Sequence, residues 1–191
     1  MNIEAPITNI TGKAITRTKT TNVAIGCGVF VILMILGAYI RIPLFFTPVP
    51  ITLQTFFVLL SGAMLGKRWG ALSQISYLFL GSLGLPVFEG YGAGMAHLFG
   101  PTGGYLFGFV CASYLVGYLL KQDKTSGMFK VSISMMAGLV MIYVFGIAWL
   151  KLFLGTSLST TLIFGFYPFL PGALIKLIAA SSIYMSLRGR F

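Results

Sequence analysis

Apolar residues fall in six blocks along the chain, at about residues 23–40, 51–66, 69–85, 105–120, 131–150 and 171–187. Each block is near the ~17–25 residues a helix needs to cross a bilayer, and several sit at the short end of that range. Gly and Ser interrupt the blocks without adding charge, as on helix surfaces that pack closely in lipid. The pattern predicts an all-α membrane protein, six transmembrane helices forming a single domain over 23–191. Residues 1–22 are polar and Thr-rich. They are read as a polar N-terminal tail, without the apolar run of a cleavable signal peptide.

Composition supports the membrane reading. With 57% hydrophobic and 8% charged residues, the chain cannot cover its surface with polar groups, so lipid must cover it. Charge then adds a direction. Lys13, Arg17 and Lys19 precede the first block, and Lys67 and Arg68 divide the second from the third. Lys121, Lys124 and Lys130 divide the fourth from the fifth, while Arg188 and Arg190 follow the sixth. The alternate loops hold only Arg41 and Lys151, ten basic residues against two. The positive-inside rule places both termini and the basic loops in the cytoplasm, and an even number of spans requires both ends on one side. The net charge of +10 is thereby a matter of topology. It is spread over short segments without interleaved aromatics, so no nucleic-acid partner is expected. Cys27 and Cys111 lie within apolar blocks as small hydrophobes, so no disulfide, metal or cofactor is expected.

One cation breaks the sorting. Lys176 sits inside the sixth block, where a charge costs about 2.5–3.5 kcal/mol to insert and needs an anion, carbonyl groups or a water-filled cavity to meet it. Of the three acidic residues, Glu4 and Asp123 fall in the tail and a cytoplasmic loop, so the counter-charge can arrive as a ligand. The competing reading is a lysine reaching up to the outer interface. Lys176 lies five residues beyond Pro171, roughly 7–8 Å down a helix, within reach of whatever the outer loops enclose.

Those loops carry the polar chemistry. Residues 84–105 contain Glu89, His97, many glycines including Gly92 and Gly103, and the aromatics Phe88 and Tyr91. This mixture reads as a folded, half-inserted cap whose glycines bring backbone groups close to something. The first outer loop is Pro-rich and leads into Thr52, Gln54 and Thr55; the third, 156–171, carries Phe166 among aromatics that can form a wall or lid. Each feature has an ordinary structural reading beside it. The glycines can serve helix packing, Gln54 and His97 can be hydrogen-bonded structural residues, Glu89 can be an exposed acid, and the tyrosines can be interface anchors. Gly100-Pro-Thr-Gly-Gly lacks the ending of a phosphate-binding loop.

Pro48-Val-Pro-Ile-Thr-Leu-Gln-Thr, Gly84-Leu-Pro-Val-Phe, Gly100-Pro-Thr-Gly-Gly-Tyr-Leu-Phe-Gly-Phe109 and the Pro-Gly-x-x-x-Lys of 171–176 together resemble the BioY family. These are the biotin-binding membrane subunits (S components) of energy-coupling factor transporters, and the resemblance covers about residues 23–187. It implies a six-helix S-component fold in the cell membrane that captures biotin with high affinity near the extracellular face. It also implies an ATP-driven uptake system in which a transmembrane coupling protein and two cytoplasmic ATPases are the partners, with biotin as transported ligand. The family usually reads Pro-Gly-Asp where this chain has Ala173, so a carboxylate near Lys176 is missing. The candidate binding set is Thr52, Gln54, Phe88, Glu89, Tyr91, Gly92, Thr102, Gly103, Tyr105, Phe166 and Lys176. Lys176 can pair with the valerate carboxylate or polarise the ureido oxygen, and Glu89 or a loop carbonyl can accept from the ureido N–H. Thr52, Gln54, Thr102 and Tyr105 supply neutral hydrogen bonds, and Phe88, Tyr91 and Phe166 pack on the ring.

The chain has no phosphate-binding loop with which to hydrolyse ATP, so energy must enter through a partner. Ala24-x-x-x-Gly28 is a small-residue surface by spacing, which suits either packing within the bundle or, as the resemblance implies, docking of the coupling protein. Two other functions compete. A stand-alone facilitator or carrier needs a continuous polar path, for which the inner halves of the blocks offer only Ser73, Gln74 and Ser76. An intramembrane enzyme needs a nucleophile with a base or clustered carboxylates at depth, and the chain is not expected to be an enzyme.

Overall fold

The computed structural model describes residues 9–121 and 126–189. Residues 1–8 of the tail, with Glu4, lie outside the described residues, as do Asp123, Lys124 and Arg190. Helices dominate because a chain in hydrocarbon must satisfy its own backbone polar groups. α1 (Asn9–Tyr39) begins inside the stretch read as a tail. A two-residue hairpin follows, β1 (Arg41–Ile42) pairing antiparallel with β2 (Ile51–Thr52), so that Arg41 stands opposite Thr52. Then come α2 (Gln54–Ser82), a tight turn at Glu89–Tyr91, α3 (Gly94–Leu98), α4 (Gly103–Leu120) and α5 (Met128–Leu154). α6 (Leu158–Gly165), a turn at Tyr167–Phe169 and α7 (Leu170–Leu187) complete the order. Among the described residues, four helical stretches are long and apolar enough to cross a membrane: Asn22–Tyr39, Gly103–Leu120, Met128–Leu154 and Leu158–Leu187.

α2 is two arms rather than one rod. Gly66 interrupts it with φ 78° and ψ 176°, a backbone state open to glycine and strained for other residues. Gln54 Nε2 nevertheless donates to Tyr77 Oη at 2.7 Å across 23 positions, which on a straight helix would be about 34 Å apart. The chain therefore reverses at Gly66, and the two arms lie side by side. This is the boundary between the second and third apolar blocks, made by one glycine in front of Lys67 and Arg68.

α4 packs against both arms through a seam of small residues. A Cβ on Gly62 would overlap the Ser113 carbonyl, and one on Gly117 would overlap the Lys67 backbone nitrogen. Lipid tails are as apolar as leucine, so helices in a bilayer gain from such close backbone approach more than from hydrophobic exclusion. Polar groups along the seam pair with each other. Ser61 and Ser113 hydroxyls are 2.9 Å apart, and Gln74 Nε2 donates to Ser61 Oγ at 3.0 Å and to Ser73 Oγ at 3.1 Å. All four residues are fully buried, so their hydroxyls and the Gln74 amide nitrogen help to hold helices together.

Candidate functional site

The cleft under the outer loops is built by segments far apart in sequence. Arg41 on β1 reaches across to the cap, where its Nη1 donates to Glu89 Oε2 at 2.9 Å. Tyr39 Oη donates to the Pro86 carbonyl at 2.5 Å, and Thr47 Oγ1 donates to the Phe164 carbonyl at 2.7 Å. The first outer loop is thus tied to the cap on one side and to α6 on the other. Beneath lies a partly open cleft. Val49, Leu106, Phe109, Ile142 and Phe169 supply its apolar wall, and Thr52, Gln54, Thr55, Glu89, His97, Thr102, Tyr105, Tyr143 and Lys176 its polar lining. A mostly apolar hollow with a few placed polar groups is the ordinary form of a small-molecule site.

Lys176 forms part of this lining from α7. Its Nζ donates to the Thr52 carbonyl at 2.9 Å, and among the described residues no carboxylate pairs with it. An ammonium has three donors, so two remain for the cleft. The Thr52 carbonyl is available because β2 ends there, and Thr52 Oγ1 turns instead to Gln54 Oε1 at 3.3 Å. Gln54 is 3% exposed and passes the chain of bonds to Tyr77, whose hydroxyl donates to the Val87 carbonyl at 3.1 Å. Gln54 therefore lines the cleft while its amide is engaged by the protein. Tyr105 is similar, its hydroxyl donating to the Gly165 carbonyl at 2.7 Å.

Two buried polar atoms in the same cleft, Thr55 Oγ1 and His97 Nε2, have no partner among the described residues. Buried polar groups are almost always hydrogen-bonded, so each marks a place where a bond is owed. His97 Nε2 is 3.9 Å from Glu89 Oε1, too far for a hydrogen bond. The imidazole stacks on Phe88, with ring centroids 4.9 Å apart and planes 10° from parallel. Burial lowers the His97 pKa from its ordinary 6.5, and Glu89 pulls weakly the other way. The ring is neutral at pH 7, and its contact with Glu89 is proximity rather than an ion pair.

The structure brings Thr52, Gln54, Glu89, Thr102, Tyr105 and Lys176 to the cleft and leaves five of the expected residues outside its lining. Phe88 is fully buried behind His97 and packs edge-on against Tyr77. Tyr91 is 70% exposed and lies against Tyr39. Gly92 backs the His97 ring, and Gly103 lets α4 approach the Leu98 carbonyl and Trp149. Phe166 stands edge-on to Tyr143 at 5.1 Å, one layer behind the lining. Ala173 is 2% exposed and takes no part in the lining. The apolar wall carried no distinguishing signal in a chain this apolar. Arg41 did carry one: it is one of two basic residues in the outer loops, and Glu89 is their one acid.

A sequence profile of the BioY family matches residues 10–191. The biotin transporter BioY of Thermotoga maritima is 41% identical over 164 residues, covering 86% of this chain and 94% of that protein. A probable biotin transporter BioY of Pyrococcus horikoshii is 40% identical, covering 84% and 92%. Among solved structures, the S-component for biotin from an ECF-type ABC transporter superposes with a TM-score of 0.84 at 30% identity, covering 90% of this chain and 93% of that one.

Proposed function

The chain belongs to the BioY family, and on that premise we propose that it is the biotin-binding membrane subunit of a vitamin transporter, not an enzyme. The observation that carries the reading is Lys176, a cation inside an apolar helix that lines the cleft and meets one carbonyl there, beside Thr55 Oγ1 and His97 Nε2, which have no partner among the described residues. Biotin offers a carboxylate for the ammonium, a ureido group with one acceptor and two donors for the neutral polar atoms, and an apolar ring for Phe109, Ile142 and Phe169. Lys176 pairs with the carboxylate, and Glu89, already oriented by Arg41, accepts from the ureido N–H. Six spans with both termini cytoplasmic follow from counting the arms of α2 separately and from the basic loops. In that orientation the cleft faces outward across the cell membrane.

Capture is then this subunit's own task, and a coupling protein with two ATPases supplies the energy. Ala24 and Gly28 are exposed on α1, and a Cβ on Gly28 would meet nothing within 4 Å, which supports this face as the docking surface for the coupling protein. The buried seam of Ser61, Ser73, Gln74 and Ser113 leaves a stand-alone facilitator without a polar path.

Equilibrium binding of biotin to the purified chain in detergent tests the reading, with Lys176→Ala beside the unaltered protein. We expect tight binding, weakened about 10- to 100-fold in the variant by loss of a charge-assisted bond. Well-folded protein that does not bind biotin would end the proposal. Unchanged binding by the variant would remove Lys176 from it.

A further inference from the structure

The end of the bundle away from the cleft carries another, open hollow, where the Gly66 reversal meets the last turn of α4 and Val23 of α1. Its lining is graded. Val23 and Leu65 are apolar, Trp69 and Tyr118 are amphipathic aromatics, and Lys67, Arg68 and Lys121 are cations. The three cations and Tyr118 are exposed, and Lys67 Nζ stands 5.3 Å from the centroid of the Tyr118 ring. Among the described residues no carboxylate pairs with any of the three, the ion contacts of Arg41, Glu89 and His97 all lying under the outer loops. The backbone here is held firmly, because Gly117 lets α4 rest directly on the Lys67 nitrogen.

Trp and Tyr at helix ends mark the boundary between hydrocarbon and headgroups. Cations at that level, above an apolar wall and without a counter-charge among the described residues, match an amphiphile with an anionic head. We propose that this hollow binds an anionic phospholipid, its phosphate between Lys67, Arg68 and Lys121 and an acyl chain along Val23 and Leu65. Basic recesses between membrane helices attract such headgroups at about fivefold in affinity per Lys or Arg. The apolar wall distinguishes this occupant from a free phosphate, which would not use it.

Native mass spectrometry of the full chain in neutral detergent tests the proposal, with phosphatidylglycerol and phosphatidylcholine of matched acyl chains as probes. We expect phosphatidylglycerol to be retained preferentially, Arg68→Gln to reduce that preference about fivefold, and Lys67→Gln/Arg68→Gln/Lys121→Gln to abolish it. Lys151→Gln, exposed near the end of α5, should leave it intact, and inorganic phosphate should not displace the lipid. Thermal unfolding checks that the variants are folded; if the triple variant is not, Arg68→Gln alone decides. Four results would overturn the proposal: no preference in the unaltered chain, a preference that survives the charge removals, an equal loss in Lys151→Gln, or displacement by phosphate, which would mark a head-only anion site. A triple variant that keeps its lipid preference but no longer assembles with a coupling protein would reassign the hollow to protein docking. The readout involves no vitamin, so it stands or fails separately from the biotin reading.

Discussion

The seam between α2 and α4 and the cleft under the outer loops are both polar places in an apolar molecule, and they treat polar atoms differently. In the seam, Ser61, Ser73, Ser113 and the amide nitrogen of Gln74 satisfy one another, leaving Gln74 Oε1 as the exception. In the cleft, among the described residues, a hydroxyl and an imidazole nitrogen have no partner, and Lys176 meets a single carbonyl. The difference is one of degree, a single unmatched oxygen in the seam against two unmatched atoms and a lysine with one carbonyl in the cleft, and it fits the proposed guest site.

The sharpest way to break the contrast is to disturb the seam. Gly62→Val drives a branched side chain into the Ser113 carbonyl and should destabilise the fold by about 3 kcal/mol, read as a lower unfolding temperature and loss of monodispersity in detergent. If stability held, the seam would not be the tight element described here. Thr55→Val tests the opposite side. Removing an unpartnered hydroxyl should leave unfolding unchanged or slightly raised, while biotin binding weakens about three- to tenfold through the loss of one hydrogen bond. A fall in stability with unchanged affinity would make Thr55 a seam residue in the wrong place.

Glu89→Gln is smaller again. The pair with Arg41 is partly exposed, with side-chain exposures of 18% and 41%, so solvent screens it and its worth is about 0.2–1 kcal/mol. Biotin should dissociate a few times faster at low salt, and the difference should shrink as salt is added. An effect on stability alone would limit the pair to holding the loop. The weakest effect belongs to His97. Its pKa in the folded protein lies below the unfolded value of 6.5, so between those two values the unfolded chain binds the extra proton. His97 therefore costs nothing above pH 6.5, and stability falls as pH drops from 6.5 toward the folded pKa. The unfolding temperature should decline over that window, and less so in His97→Gln; equal declines in both would assign the loss to other groups.

Much of the fold was legible because lipid imposes a simple rule. Apolar blocks became helices, and Lys67 and Arg68 marked the reversal that Gly66 makes. The block boundaries were less legible: α1 extends back to Asn9 and α6 forms a separate short helix before α7, since polar sequence can continue a helix once it has left the hydrocarbon. In the cleft, residues that broke the apolar background were readable, Lys176, Glu89, Gln54 and Thr52 among them. Phe88 and Tyr91 were not, because aromatic identity does not say which way a cap residue faces; one is fully buried and the other 70% exposed. Phe109 and Ile142 were hidden for the opposite reason, being apolar residues in apolar helices.

The bond from Lys176 to the Thr52 carbonyl spans 124 positions and has a consequence in time as well as in space. A ribosome adding ~5–20 residues per second needs roughly 6–25 s to pass from one to the other. Throughout that interval the hairpin carbonyl has been made and its ammonium has not. A chain arrested before α7 would display the cap and the first outer loop with no floor beneath them. Ligand binding by this protein thus reports that synthesis has reached its last described helix, and a C-terminal truncation through α7 should leave an inserted protein that captures nothing.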